Sequence, residues 1–169
     1  LKVDRKRVQL NQKDLKRVIR EQKKLNKIYG KLSKRVYFSS SFELPLNSKV
    51  TSPYGMRRMF NKVRKSQHLG IDFSARTGVK IPVSNSGKVV LAEDLFYTGN
   101  TIIVDHGTGV FTLYGHLSKL QARVGQKVRQ GKVIGLAGKT GRVTGPHLHW
   151  GEKINGHWVD GKTLTMLDL

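Results

Sequence analysis

The amino-acid sequence predicts a mostly β domain built on an antiparallel sheet and preceded by a basic α-helix. From residue 48 onward, short runs rich in β-branched and aromatic residues are separated by glycines, a pattern typical of antiparallel strands joined by turns. The chain has 169 residues, which suits one compact domain with an appendage. We therefore predict a helical prelude and linker over residues 1–47 and a β domain over residues 48–169.

The first predicted element is a basic amphipathic helix over residues 11–35. Asn11 is a suitable N-cap, and Asp14 would lie in the first turn, where a carboxylate interacts favourably with the helix dipole. Apolar residues recur at close to the helical period, at Leu15, Val18, Ile19, Leu25, Ile28, Tyr29 and Leu32. We favour packing of this stripe on the β domain over binding to a membrane surface, although Gly30 weakens the last turns.

The β domain is predicted to begin after a linker. A serine run at residues 39–41, followed by Pro45, indicates that this linker ends near residue 48. The clearest strands predicted after it are residues 88–92, 101–105, 110–114, 133–136 and 148–154. Glycines between these runs supply the turns that antiparallel neighbours need.

The composition indicates an anionic partner, because the formal net charge is +21 at pH 7. Residues 1–36 carry 14 Lys and Arg residues against three acidic residues, so about half of the excess lies in the prelude. Such a charge suits nucleic acid, membrane headgroups or an acidic polymer such as bacterial cell wall. We find no recognised nucleic-acid motif and no row of aromatic residues for base stacking, which disfavours nucleic acid.

The sequence shows no apolar run of membrane-spanning length and no signal peptide. The first residue is Leu1 rather than Met, so we expect a processed or truncated chain whose signal could have been lost upstream. No feature of the sequence indicates the oligomeric state.

Two pairs of metal-ligating residue types carry the chemistry. His68 and Asp72 are four residues apart, which places them on one face of a helix or a strand. His147 and His149 are two residues apart, which shares a face only on a strand. Two such strands side by side could bring two imidazoles and a carboxylate to one point, with one imidazole left over. The chain has no cysteine, so any metal must be bound by histidine and carboxylate ligands. Two histidines and one carboxylate with an open fourth position are typical of catalytic zinc.

The histidines that do not bind metal have two predicted roles. His116 and one of the two histidines of H-L-H could supply a general base and a donor to a developing oxyanion. His106 and His157 lack partners at a metal-ligand spacing, and we interpret both as structural. Non-haem iron also uses two histidines and a carboxylate, but usually as H-x-D or H-x-E, so the spacing favours zinc.

Six motifs follow one another along the chain from Ser48 to about Leu164. They read V-T-S-P-Y-G-M-R-R, H-L-G-I-D-F-S-A-R-T-G, G-N-T-I-I-V-D-H-G-T-G-V, L-Y-G-H-L-S, V-G-Q-K-V-R-Q-G-K-V-I-G and T-G-R-V-T-G-P-H-L-H-W. Together they resemble the M23 family of zinc peptidases, the lysostaphin-like or LytM-type peptidoglycan endopeptidases. The resemblance covers about two thirds of the chain, and the basic helix lies outside it.

The resemblance implies a β-rich domain with a groove over an antiparallel sheet. It also implies one Zn²⁺ ion bound by His68, Asp72 and His149, with His116 and His147 as the catalytic histidines. The glycine-rich loop over residues 138–145 would then form a wall of the groove, where Thr140, Arg142 and Thr144 could hydrogen-bond a peptide. Some relatives have lost metal ligands and only activate other hydrolases, whereas this chain keeps all five residues.

The expected activity is therefore zinc-dependent hydrolysis of the peptide crosslinks of bacterial peptidoglycan. We favour a D,D-endopeptidase acting on D-alanyl crosslinks to diaminopimelate, because the helical prelude and the H-L-H motif resemble members from diderm bacteria. The alternatives are a glycyl-glycine endopeptidase and a non-catalytic, wall-binding activator of other hydrolases. The expected location is outside the cytoplasm, in the periplasm or cell envelope or secreted, with the basic helix on an anionic wall or membrane surface.

Overall fold

A computed structural model describes residues 10–60 and 64–166; residues 1–9 of the predicted prelude and the last three residues of the predicted β domain lie outside this part. The elements, in chain order, are α1 (Gln12–Tyr29), β1 (Val50–Ser52), β2 (Arg57–Phe60), β3 (Arg64–Gln67), β4 (Ile71–Ser74), β5 (Lys80–Pro82), β6 (Gly87–Leu95), β7 (Gly99–Gly107), β8 (Val110–Leu117), β9 (Lys119–Leu120), β10 (Lys127–Val128), β11 (Val133–Leu136), β12 (His147–Ile154), β13 (His157–Val159) and α2 (Gly161–Thr165). The mostly β prediction is confirmed, and each of the five predicted strands lies within an observed one.

The described strands form one large antiparallel sheet with two small companions. The large sheet has eight strands in the order β1-β4-β12-β8-β7-β6-β10, with β13 paired to the free part of β12. Strands β5, β11 and β9 form a three-stranded sheet, and β2 and β3 form a separate hairpin. The long central strands β12, β8 and β7 are the frame on which the predicted site residues of β4, β8 and β12 are held.

The large sheet buries apolar side chains on both faces. One face packs against the three-stranded sheet through a core that includes Ile81, Ile134, Phe73, Leu148 and Trp150. The other face carries a second core, which consists of Leu91, Leu95, Ile103, Phe111 and Leu113 together with Tyr29 of α1. Because both faces are covered, β7 and β8 are buried along nearly their whole length and do not alternate between buried and exposed residues.

Helix α1 packs on this second core through its C-terminal half, which confirms the packed interpretation there, whereas Leu15 and Ile19 of the predicted stripe stay exposed. Tyr29 is buried, and the neighbouring apolar side chains Leu25 and Ile28 are partly buried against the sheet. Ion pairs fix the outer edge of the contact, with Arg17 Nη2 at 2.9 Å from Asp94 Oδ2 and Lys24 Nζ at 2.8 Å from Glu93 Oε1. Neither described helix is long and apolar enough to cross a membrane.

The predicted end of the helix at residue 35 is wrong. Asn11 caps the start as expected, since its side chain accepts a hydrogen bond from the Asp14 N–H at 2.8 Å. The helix ends at Tyr29 because Gly30 is a poor helix former and the following apolar residue, Leu32, finds no core and is 64% exposed. The chain instead runs along the sheet, where the Tyr37 N–H donates to the His106 carbonyl at 3.0 Å.

The segment between α1 and β1 lies against the β domain. A Cβ atom on Gly107, whose φ is +93°, would lie 1.8 Å from the carbonyl oxygen of Arg35, so only glycine lets the segment cross there. Phe42 is buried farther along, in a small core with Val110 and Leu164. The predicted linker therefore packs against the β domain. The predicted domain boundary between residues 47 and 48 stays a prediction.

Candidate metal centre and active site

Antiparallel pairing brings Asp72 and His149 together. Asp72 on β4 is the direct register partner of His149 on β12, so their side chains leave the same face of the sheet side by side. The His149 Nδ1 atom lies 2.9 Å from Asp72 Oδ1. This contact follows from two strands that are far apart in sequence.

His68 reaches the same point from a loop. The expectation that His68 and Asp72 share a face of one regular element is wrong, because β4 begins only at Ile71 and His68 lies in the turn before it. Its Nε2 atom lies 2.9 Å from Asp72 Oδ1 and 3.0 Å from His149 Nδ1. The turn can pass this close because Gly70 has no side chain; a Cβ there would lie 2.6 Å from the His149 ring.

These three ligand atoms could hold a metal ion. They form a triangle with edges of 2.9, 2.9 and 3.0 Å, in which two imidazole nitrogens face each other. A tetrahedral zinc ion about 2.0–2.1 Å from each ligand atom separates those atoms by about 3.3 Å, so a small outward adjustment accommodates it. His68 Nδ1 donates to the carbonyl of Pro53 at 2.9 Å, which leaves the lone pair of Nε2 directed at the triangle.

The other two predicted site histidines, His116 and His147, stand beside this triangle. Their ring centroids are 4.7 Å apart, and His147 Nε2 lies 3.7 Å from Asp72 Oδ2. Each Nδ1 atom faces a backbone carbonyl, that of Thr140 at 2.8 Å and that of Gly145 at 2.9 Å. Because a carbonyl can only accept a hydrogen bond, both rings carry their proton on Nδ1 and leave Nε2 available.

The backbone at His116 is held in an unusual conformation. Its φ is +62°, which is rare for a residue with a side chain, and its N–H donates to the Thr98 carbonyl at 2.6 Å instead of continuing the strand ladder. The resulting irregularity in β8 turns the ring toward His147.

The electrostatics of the cluster suit a cation. Burial opposes ionisation of Asp72, but hydrogen bonds from His149 and His68 outweigh it and hold the pKa of that carboxyl well below its usual range. Burial, reinforced by the neighbouring His149 and His147, holds the pKa of His116 well below the ordinary histidine value. Burial also lowers the pKa of His149. An ionised carboxylate among neutral imidazoles is the protonation state that metal binding requires.

Sequence reasoning missed one residue of the cluster, Arg58. Its guanidinium Nη2 donates to Asp72 Oδ2 and, at 2.7 Å, to Ser52 Oγ. Arg58 thus occupies the outer oxygen of the carboxylate and leaves Oδ1 for the triangle. Arg58 lies in the M-R-R segment of the motifs that carry the family resemblance, but its spacing from the histidines predicts no role for it.

A groove of about 510 Å³ passes over the cluster. One wall consists of the β2 side, with Arg57 and Met59, and the other of the loop that includes Arg142 and Thr144. Arg142 lies over the ring of Tyr97, with 4.4 Å between the guanidinium carbon and the ring centroid. The glycine-rich loop therefore forms a groove wall, as the resemblance implied.

The two histidines interpreted as structural lie away from this cluster. His106 is fully buried, and its ring contacts the Ser86 carbonyl at 2.8 Å and Thr112 Oγ1 at 2.7 Å, which confirms a role in packing. His157 is exposed on β13. Neither belongs to the described metal-ligand group.

Comparisons with known proteins agree with this arrangement. The sequence model of Peptidase family M23 matches residues 66–161, more than half of the chain. The peptidoglycan DD-endopeptidase ShyA of Vibrio cholerae is 40% identical over 119 residues, which are 69% of this chain and 28% of ShyA. The chain thus spans about a quarter of the length of the curated relatives that it matches.

Solved structures share the fold. A structure from Pseudomonas aeruginosa assigned to peptidase M23 has a TM-score of 0.81 and 35% identity, with 93% of this chain and 64% of that chain covered. The catalytic domain of the antimicrobial peptidase lysostaphin from Staphylococcus simulans has a TM-score of 0.67 and 30% identity, with 76% of this chain and 100% of that domain covered. On the sequence match, the shared fold and the residues brought together at the site, the chain belongs to peptidase family M23.

Proposed function

We propose that this protein is a zinc metalloendopeptidase that hydrolyses peptide crosslinks of bacterial peptidoglycan. The observation that carries the proposal is the convergence of His68, Asp72 and His149 on one point, with the Nε2 atoms of two further histidines beside it. A non-catalytic wall-binding role would not require this complete set. Family membership supplies the reaction class.

We assign the metal ligands as His68 Nε2, Asp72 Oδ1 and His149 Nδ1. Two neutral imidazoles and one carboxylate suit zinc, which is a borderline ion, and leave a fourth position open, which is the ligand set of catalytic rather than structural zinc sites. Zinc held there supplies Lewis-acid polarisation of a peptide carbonyl and activation of water near neutral pH. Arg58 and the Pro53 carbonyl orient the ligands from outside.

His116 and His147 carry the proton chemistry. Each ring is anchored through Nδ1 to a carbonyl, so each presents Nε2 to a substrate that lies in the groove. One ring accepts a proton of the attacking water at Nε2 and then passes it to the nitrogen of the leaving amine, while the other, protonated at Nε2 from solvent, donates a hydrogen bond to the oxygen that gains charge. Their ring separation of 4.7 Å allows both to face the same reacting carbonyl.

The proposed substrate is the direct D-alanyl crosslink to diaminopimelate. Its support is the similarity to ShyA, whose name states DD-endopeptidase activity. The family resemblance keeps glycine bridges as the competing substrate. With such a substrate we propose a location outside the cytoplasm, in the periplasm or cell envelope or secreted.

A second part of the proposal concerns the outer face of α1. Five basic side chains are exposed there at spacings of three and four residues; they are Lys13, Lys16, Arg20, Lys23 and Lys27. This basic row extends along about 21 Å of helix on the side opposite the face packed on the sheet. We assign it to adhesion to an anionic wall or membrane surface, an attraction that salt would weaken.

The function is tested by digestion of purified sacculi of both crosslink chemistries by metal-free and zinc-reconstituted protein, with mass spectrometry of the released muropeptides. We expect zinc-dependent loss of D-alanyl-diaminopimelate dimers and no cleavage of glycine bridges. Cleavage of glycine bridges alone would overturn the substrate assignment. Folded, zinc-loaded protein that cleaves neither but stimulates another hydrolase would establish the activator role instead.

A further inference from the structure

A second cleft opens from the metal centre toward helix α1. Its volume is about 320 Å³. His116 and His149 lie at one end, and Val18, Leu25 and Tyr29 of α1 form the far wall. Helix α1 lies outside residues 66–161, so this wall is not part of the region that matches the family model.

Lys153 is the cation at the α1 end of this cleft. It lies four residues after His149 on the same face of β12, about 13 Å along the strand. Its ammonium nitrogen stands 4.5 Å from the ring centroid of Tyr29 and 5.1 Å from that of Trp158. The two aromatic rings attract the ammonium group through cation–π interactions and displace part of its hydration shell. Burial lowers the pKa of Lys153, and no carboxylate of the described residues counteracts it.

The cleft does not supply an anion of its own to Lys153. Among the described residues that line it, the single carboxylate is Glu21. Glu21 is already bound by Arg17 Nε at 2.6 Å and by the Phe96 N–H at 2.9 Å. A lysine ammonium that is partly desolvated and has no carboxylate partner in the described structure favours an external anion.

Tyr29 adds an unused hydrogen-bond donor to the same wall. Its hydroxyl is buried and finds no partner within the part of the chain that the structure describes. The ring is fixed by edge contacts with Phe111 at 5.3 Å and with Trp158 at 5.8 Å, so the side chain is held in one place. A buried hydroxyl without a partner is uncommon in proteins and indicates a ligand or a water molecule.

We propose that Lys153 and Tyr29 form a carboxylate-binding subsite for the peptide substrate, about 13 Å along β12 from the metal centre. The proposal rests on the proposed peptidoglycan endopeptidase function and names an extended peptide strand that bears a free carboxylate, as a stem peptide with acidic and diamino residues does. The ammonium binds the carboxylate electrostatically and the phenol donates a hydrogen bond to it. Helix α1 is thereby a specificity wall, since without Tyr29 the subsite loses its donor and one of the two rings that position Lys153.

Two matched substrates test the subsite in the full chain. They are crosslinked muropeptide dimers that differ only in whether the stem carboxylates are free or amidated. For the wild type, we expect kcat/KM to be about tenfold or more higher on the free-acid dimer. Lys153→Met should abolish that preference by lowering kcat/KM on the free-acid dimer alone. Tyr29→Phe should reduce the preference in part. Lys119→Met, a change to an exposed lysine of β9 outside the cleft, should leave both values unchanged.

A binding measurement separates failure of the subsite from failure of the proposed function. Free-acid and amidated stem peptides are titrated into the zinc-loaded wild type and Lys153→Met while tryptophan fluorescence is recorded, because Trp158 lines the cleft. Tighter binding of the free acid that Lys153→Met abolishes supports the subsite even if neither dimer is cleaved, in which case only the endopeptidase proposal fails. Equal binding of both peptides, or an equal loss on both dimers in Lys153→Met, overturns the subsite.

Discussion

At the scale of single residues, the site is organised by which ring nitrogen of each histidine is free. His68, His116 and His147 each direct Nδ1 at a backbone carbonyl and keep Nε2 for the site. His149 differs, because its Nδ1 faces Asp72. The sequence spacing could bring these residue types together, but it could not choose between His147 and His149 as a ligand. The register of β12 against β4 makes that choice, because it pairs His149 with Asp72 and His147 with Ser74, and the spacing within one strand does not report that register.

Arg58 offers a prediction about metal affinity. It contacts the carboxylate oxygen of Asp72 that does not face the triangle, so Arg58→Gln should leave the three ligands present but less well oriented. We expect zinc affinity to fall by about 10- to 100-fold, the range for partners of metal ligands. Competition with a chromophoric chelator measures it.

The matched control for this variant is Arg57→Gln, because Arg57 is the exposed neighbour on the same strand. Its zinc affinity should equal that of the wild type. Equal affinities for Arg58→Gln and the wild type would show that Arg58 does not orient Asp72.

His106 gives a prediction about stability and pH. Burial lowers the pKa of His106 from 6.5 to about 4. As the pH falls from about 6.5 to 4, His106 takes up a proton in the unfolded chain but not in the folded chain. The free energy of unfolding therefore decreases by about 3 kcal/mol over that pH range. In His106→Gln the loss of unfolding free energy between pH 7 and pH 4 should be smaller by about this amount. Urea denaturation of the metal-free protein at several pH values measures it.

His157→Gln is the control for the pH experiment, since His157 is exposed on β13. Its stability should depend on pH as that of the wild type does. The interpretation is wrong if His106→Gln retains the full decrease of unfolding free energy at low pH.

At the scale of elements, the helix and the strands were predictable where the signal is local. The cap of α1 at Asn11 and the apolar runs of β6, β7, β8 and β12 depend on neighbours in sequence. Strand order is different, because β4 and β12 are paired although 77 positions separate Asp72 from His149. The place of His68 in a turn was equally hidden, since it depends on the close approach that Gly70 allows.

The basic row of α1 carries an element-scale prediction. The double variant Lys16→Gln with Lys23→Gln should bind less well to anionic vesicles or sacculi, with a weaker dependence on salt, because two charges of one exposed row are removed. Cosedimentation across a salt series measures the retained fraction. The control, Lys119→Gln with Lys162→Gln, removes the same charge from other exposed positions. If both double variants bind equally, net charge rather than the row governs adhesion.

At the scale of the whole molecule, the prelude and the β domain share one packed surface. The predicted prelude supplies Tyr29 to one core and Phe42 to another, and its charges pair with Glu93 and Asp94 of the sheet. Composition alone predicted a basic appendage and a linker, because it reports charge and turn residues but not docking partners. The consequence is that α1 faces the metal centre across a cleft and belongs to the substrate-binding surface that we propose.

The central claim is that His68, Asp72 and His149 bind one catalytic zinc while His116 and His147 act on protons. The most direct measurement is zinc stoichiometry together with muropeptide release for the wild type, His149→Ala and His147→Ala. We expect one zinc per chain in the wild type and in His147→Ala, with cleavage lower by about 100-fold or more in the latter, and neither zinc nor cleavage in His149→Ala. Full zinc in His149→Ala, or loss of zinc but not cleavage in His147→Ala, would contradict the account.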